Sequence, residues 1–349
     1  MKYTKQYWND VENALDSIPD YRRLYGKSIL ITGASGMICS TIIDLLLHLN
    51  RTQQAGIRII AAGRNKEKIV GRFEGFTEDD GICFSFYDAT SPDPIDIPDS
   101  PDYIIHGASN ANPGIYMREP VETMLANITG LNSMLRFAAE KSIRRILYVS
   151  SSEVYGRHSG QNAYREDDYG FLDILNERAS YPSSKRAGES LCIAYCMEYD
   201  VDAVTVRPGH IYGPSIQPSD NRASAEFSRR AAAGENIIMK SAGTQLRSYC
   251  YTLDCATAIL TVLLNGKSRQ AYNISNPNSI CTIREIAEAM ADAAGVQVIF
   301  DVPTEVEKKS YNLMDNSSLN SEKLEALGWV PRFSLRQGVE STIDLLKEE

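Results

Sequence analysis

Tyr181-Pro-Ser-Ser-Lys185 sets a phenol and an ammonium four residues apart. On a helix that spacing puts both side chains on one face, one turn apart. A cation beside a phenol favours its ionised form, so the expected phenol pKa falls and the group becomes a base near neutral pH. Far upstream, Ile31-Thr32-Gly33-Ala34-Ser35-Gly36 has the glycine spacing of a strand-to-helix turn that lets backbone approach a pyrophosphate. One segment suits a nicotinamide dinucleotide, NAD or NADP. The other suits proton removal from an alcohol whose hydride is leaving. The pair points to redox chemistry on a hydroxyl.

A second constellation is Val149-Ser150-Ser151-Ser152-Glu153-Val154-Tyr155-Gly156. The serine run ends a predicted strand, at the sheet edge where open α/β folds place ligands. Ser151 is the expected partner of the substrate oxygen that loses its proton. Glu153 is surplus to simple hydride transfer. Beside a substrate it implies proton traffic at a carbon after a first oxidation; otherwise it caps loop amides.

The cofactor path reads less sharply. Gly33 permits the tight turn and Gly36 the close approach, while the third glycine of the usual fingerprint falls at Cys39. An acid at the end of the second strand would bind a ribose 2′-hydroxyl. Here Ala61-Ala62-Gly63-Arg64-Asn65 has none. Arg64 then meets a 2′-phosphate, stacks on adenine, or simply opens the next helix. Asp88 accepts from the adenine amine or closes a turn. His106-Gly107-Ala108-Ser109 ends the fourth strand beside the cofactor, with His106 expected as a structural residue. Asn127, in an apolar helix, needs a hydrogen-bond partner and is expected to find it on a neighbouring strand.

Short apolar strands at 28–32, 57–62, 82–87, 103–106, 145–149 and 201–206 alternate with helical stretches, including 120–141 and 180–197. That alternation predicts an α/β, Rossmann-type doubly wound parallel sheet. The pattern loosens after Gly213, as expected of a smaller C-terminal lobe. The expected division is an amphipathic N-terminal extension over 1–25, a dinucleotide-binding domain over 26–207, and a substrate-binding lobe over 208–349. A segment from about 245 to 275 returns to the dinucleotide domain. The net charge of −9 argues against nucleic acid or an anionic membrane as partner. No apolar run approaches the roughly 18 residues of a membrane span. Seven scattered cysteines, without a CxxC pair or a completed zinc pattern, suggest free thiols, no metal and a cytoplasmic location.

At these motifs the chain resembles the extended short-chain dehydrogenase/reductases that act on nucleotide sugars, over roughly Lys27 to Leu346. Within them it is most similar to the UDP-glucuronate decarboxylases. The likeness is carried by Ser151-Ser152-Glu153-Val154-Tyr155-Gly156 and by Ala108-Ser109, Pro113, Tyr116-Met117 and Pro120. Asp220-Asn221-Arg222 and Gln245-Leu246-Arg247 through Asp254 add to it. The resemblance implies Tyr181, Lys185, Ser151 and Glu153 as catalytic groups. It implies NAD, with NADP as the alternative, held by Gly33, Ser35, Gly36, Met37, Ile38, Arg64, Asp88, Ala89, Gly107, Ala108, Ser109, Asn127 and Pro208 together with Tyr181 and Lys185. It implies a nucleotide-sugar substrate met by Tyr116, Ser152, His210, Arg222 and Arg247. His210 stands where the family carries Asn, and is either a replacement contact or a packed histidine. The implied reaction is C4 oxidation, loss of carbon dioxide and return of the hydride. The alternatives are a 4,6-dehydratase, a 4-epimerase, and a catalytically silent dinucleotide-binding regulator. A homodimer built on the helices near 120–141 and 180–197 is implied as well.

Overall fold

The structure is a computed structural model that describes residues 3–91, 95, 97, 99–157, 162–301 and 315–348. Its centre is a seven-stranded parallel sheet. The strands are β1 (Ser28–Thr32), β2 (Arg58–Gly63), β3 (Ile82–Phe86), β4 (Tyr103–His106), β5 (Arg145–Val149) and β6 (Ala203–Pro208), with β10 (Ala271–Ile274) at the edge. Their order is β10-β6-β5-β4-β1-β2-β3, which is the doubly wound Rossmann arrangement. β1, β4 and β5 are apolar runs buried almost throughout, as strands covered on both faces must be.

The switch point falls between β1 and β4, which pair directly. Helix α2 (Met37–Gln53) leaves the glycine turn there, and α7 (Ser180–Glu198) brings the Tyr-Lys pair to the neighbouring β5 edge. The stretch 120–141, expected as one helix, is α5 (Pro120–Leu125), a π-helical segment Ala126–Gly130, and α6 (Leu131–Glu140). The π turn carries Asn127, whose Nδ2 donates to Ser184 Oγ at 3.0 Å, so its partner is the helix α7 and not the expected strand. Extra backbone in a π turn re-aims side chains at such points.

The later part of the chain crosses back and forth. β7 (His210–Tyr212), β9 (Leu246–Tyr251), β11 (Ile280–Thr282) and Asn316–Ser317 form a small second sheet. Helix α9 (Thr252–Asn265), which follows β9, is buried along nearly its whole length and packs on α2 before β10 joins the main sheet. The N-terminal segment is helix α1 (Lys5–Leu15), capped by Thr4. It packs on α2 and α9.

No helix among the described residues is long and apolar enough to cross a membrane. The seven cysteines are unpaired thiols, six of them buried.

Candidate active site

The glycine turn is close-packed. Gly33 has φ +73°, and a Cβ there would stand 2.8 Å from the Gly107 carbonyl oxygen. The position of the missing third glycine is compensated across the turn. Cys39 Sγ fills the space that a Cβ on Gly107 would need, so the small residue has moved to the facing strand end.

Gly36 caps α2 without a side-chain hydrogen bond. The first amides of α2, beside Met37 and Ile38, therefore face the turn with no side-chain cap, the usual arrangement for an anion. Gln217 Nε2 donates to the Ser35 carbonyl at 2.9 Å, tying a loop of the smaller lobe to the turn. Ser109 Oγ is buried with no partner at the end of β4. These features fit a dinucleotide laid across the switch point.

The outer contacts are looser. Arg64 is exposed and touches Asn110 at 3.4 Å. Asp88 Oδ1 accepts from the Thr90 amide and hydroxyl at 2.9 and 2.8 Å, so it closes its own turn. Ala89 lies against Gly130 of the π segment. Pro208 ends β6 and is buried. His106 is structural: Nδ1 pairs with Thr32 Oγ1 at 2.9 Å, and burial takes its pKa down to about 3.

The reacting groups converge at the end of β5. Ser151 caps the short turn Ser152–Tyr155, its Oγ accepting from the Glu153 amide at 3.2 Å. The same hydroxyl also opposes the rise in the Tyr181 phenol pKa. Ser152 is buried beneath them. Lys185 Nζ donates to the Val149 carbonyl at 2.8 Å, 5.7 Å from the Tyr181 ring centre.

The expected fall in the Tyr181 pKa is not found. Burial pushes the phenol well above its usual value, with Glu153 adding to the rise and Ser151 and Arg222 opposing it. Burial also takes the Lys185 ammonium down to about 7. Desolvation is the largest influence on both groups.

Three arginines surround this cluster. Arg247 is buried and donates to the Leu246 carbonyl at 2.8 Å. Arg222 pairs with Asp220, Nη2 to Oδ2 at 2.5 Å. Arg178, which motif reading passes over, donates from Nη2 to the Tyr116 hydroxyl at 2.8 Å. The Tyr116 ring is fully buried and stacks on Tyr181, with centres 5.1 Å apart and planes 9° from parallel. Burial raises the Glu153 pKa, while Arg178, Arg247 and a hydrogen bond from Tyr116 hold it back. His210 feels the charges of Arg247 and Arg222. Burial and those two charges take it down to about 3, and its buried Nδ1 has no partner. The local field is thus positive in an acidic chain.

Glu189 was also invisible to motif reading. It accepts from Ser150 Oγ at 2.6 Å and forms an ion pair with Arg207 of β6 at 2.6 Å. One turn beyond Lys185, it locks α7 against both β5 and β6. The partner positions lie 39 and 18 residues away, so no local pattern announces the contact.

The sequence profile of the NAD dependent epimerase/dehydratase family matches residues 29–275. The chain belongs to that family. UDP-glucuronic acid decarboxylase 3 of Arabidopsis thaliana is 29% identical over 322 residues, covering 89% of this chain and 86% of that protein. The dTDP-D-glucose 4,6-dehydratase of Bos taurus is 25% identical over 351 residues, covering 93% and 90%. An epimerase from Methanothermobacter thermautotrophicus superposes with a TM-score of 0.79 at 18% identity, covering 96% of this chain and 95% of that one. That likeness is one of fold.

The NAD dependent epimerase/dehydratase family places this chain among the extended short-chain dehydrogenase/reductases, enzymes that use NAD. The turn, the α2 amides and Ser109 are the groups that would hold it.

Proposed function

We propose that this chain decarboxylates UDP-glucuronate to a UDP-pentose by transient oxidation at C4. The observation that carries the reading is Glu153. It shares one capped turn with Ser151, raises the Tyr181 phenol pKa, and has its own rise opposed by Arg178 and Arg247. NAD would be held along the β1–β4 edge by the glycine turn, the first α2 amides and Ser109, and would supply the hydride acceptor and donor for C4.

The chain's own groups move the protons. Tyr181, helped by Ser151, takes the proton from the C4 hydroxyl and gives it back at the end. The 4-ketone makes the C5 carboxylate a β-keto acid, which loses carbon dioxide. Glu153, raised by burial, delivers a proton to C5. Arg247 is buried with its charge disfavoured, so a substrate carboxylate or phosphate compensates it. His210 Nδ1, buried without a partner, offers a further polar contact to the nucleotide sugar.

The decarboxylase relative at 29% identity supports this reading. The dehydratase relative supports a second one, since a 4,6-dehydratase also needs an acid–base group beside the Tyr-Ser pair.

The test is incubation with UDP-glucuronate and NAD, with products read by mass spectrometry. The expected product has lost the mass of carbon dioxide. Loss of water from a dTDP- or UDP-hexose, with UDP-glucuronate untouched, establishes the dehydratase instead. Glu153→Gln is expected to bind NAD normally and to release no pentose.

The same reading includes a homodimer. Val121, Met124 and Leu125 of α5 and Ile193 and Met197 of α7 leave apolar surface in water, and α5 and α7 pack side by side.

A further inference from the structure

Arg64 opens an exposed cationic segment beside the glycine turn. β2 ends at Gly63, and Arg64-Asn65-Lys66-Glu67-Lys68 follows with every residue exposed. The Ala34 amide of the glycine turn donates to the Ala62 carbonyl at 3.1 Å, so the end of β2 lies directly beside the turn suited to a pyrophosphate. In the sheet, β1 runs between β2 and β4. Arg64 starts on the β2 side, yet its Nη2 lies 3.4 Å from Oδ1 of Asn110, just past the end of β4. The guanidinium therefore spans the crevice at the glycine turn.

The contact with Asn110 is long and its acceptor is neutral, so a phosphate displaces it at little cost. Among the described residues no carboxylate pairs with Arg64, Lys66 or Lys68. The oxygens that would receive a ribose 2′-hydroxyl are already engaged. Asn65 Oδ1 caps α3 (Lys66–Arg72), accepting from the Lys68 amide at 2.7 Å. Asp88 Oδ1 accepts from the Thr90 amide and hydroxyl. Glu67 is the one acid in the segment, and it lies beyond the cap, on α3.

We propose that Arg64 anchors a subsite for a 2′-phosphate, with Lys66 and Lys68 adding to its field, so that this crevice binds NADP as well as NAD, and NADP the more tightly. An acid at the end of the second strand accepts from the 2′-hydroxyl and repels a phosphate, whereas an arginine there accommodates the phosphate. The guanidinium is a planar fork matched to two phosphate oxygens, and such charged hydrogen bonds are roughly twice as strong as neutral ones. The inference rests on the dinucleotide crevice and not on the decarboxylase reading.

The experiment is titration calorimetry of the whole chain with NAD and with NADP, without sugar, after any nucleotide carried through purification has been stripped. In low salt NADP is expected to bind about tenfold more tightly than NAD, and in about 1 M salt to lose most of that advantage to screening. Arg64→Ala is expected to abolish the preference, with the loss on the NADP side. Arg64→Asp is expected to reverse it, by supplying the acceptor for the hydroxyl and repelling the phosphate. Arg64→Lys, a point charge without the fork, is expected to keep part of it. The side chain is exposed, so these variants are expected to retain the circular dichroism of the wild type.

A wild type that binds NADP no more tightly than NAD overturns the proposal. So does an Arg64→Ala variant in which both dinucleotides weaken alike, the mark of a guanidinium stacked on adenine. Binding is read without turnover. A chain that leaves UDP-glucuronate untouched therefore loses the decarboxylase reading, while the NADP-to-NAD ratio still decides the subsite.

Discussion

Tyr181 is a phenol whose proton is held tightly by burial, with Ser151 and Arg222 as the groups that loosen it. Tyr181→Phe keeps the ring stacked on Tyr116 and removes only the hydroxyl. It is expected to leave NAD affinity within a factor of two and to lower kcat roughly 10²–10⁴-fold, the usual contribution of a positioned acid–base group. Titration calorimetry and steady-state rates check both halves. That Tyr181, Lys185, Ser151 and Glu153 lie near the end of β5 was legible because short spacings tie each to a predicted strand or helix. Their electrostatics were not. The sequence reading placed the Lys185 charge beside the phenol, yet the ammonium turns to the Val149 carbonyl and itself loses proton affinity by burial. Arg178 was illegible for a related reason: its meaning lies in Tyr116, 62 residues earlier.

Helix by helix, the least expected element is α1. Its amphipathic pattern marked a helix, and its partner lay out of sight. Tyr7 and Tyr3 donate to the two oxygens of Asp44 on α2, at 2.5 and 2.8 Å. Arg72, closing α3 (Lys66–Arg72), pairs with the same carboxylate at 2.5 Å and reaches Ser215 of the smaller lobe at 3.5 Å. A buried carboxylate thus joins the extension, the helix leaving the glycine turn and the helix after β2. Asp44 itself is completely buried. Asp44→Asn keeps the shape but leaves the Arg72 charge without its counterion, and is expected to cost about 3 kcal/mol in urea unfolding. Tyr7→Phe, which spares the ion pair, is expected to cost about 1 kcal/mol. Equal costs for the two would show that the ion pair contributes nothing beyond one hydrogen bond. The element boundaries nearest the site followed the apolar runs closely, as at Tyr103–His106 and Arg145–Val149. The π segment escaped because such turns are rare single-turn insertions within a helix and have no residue-type signature of their own.

For the whole molecule, alternating strands and helices were enough to anticipate the parallel sheet, because few topologies bury both faces of such strands. The route of 245–275 was harder to see: β9 serves the small sheet, while α9 and β10 return to the large one. Assembly follows from what that packing leaves uncovered. α5 and α7 lie together on one side of the sheet, where Val121 is 62% exposed and Met197 72% exposed. A two-fold axis through that face would match each helix pair with its copy and bury both patches at once. A stable pairing of this kind removes about 800 Å² per partner, with the energy concentrated in a few central apolar side chains. Val121→Glu and Met197→Glu place charges on surface that is already exposed, so neither disturbs the fold of a lone chain. Light scattering is expected to give twice the chain mass for the wild type and a single mass for the double variant. Its circular dichroism and NAD affinity should be retained, since the glycine turn and the Tyr181 cluster lie within one copy. A wild type that runs at single mass down to its highest soluble concentration would leave these apolar side chains as ordinary surface.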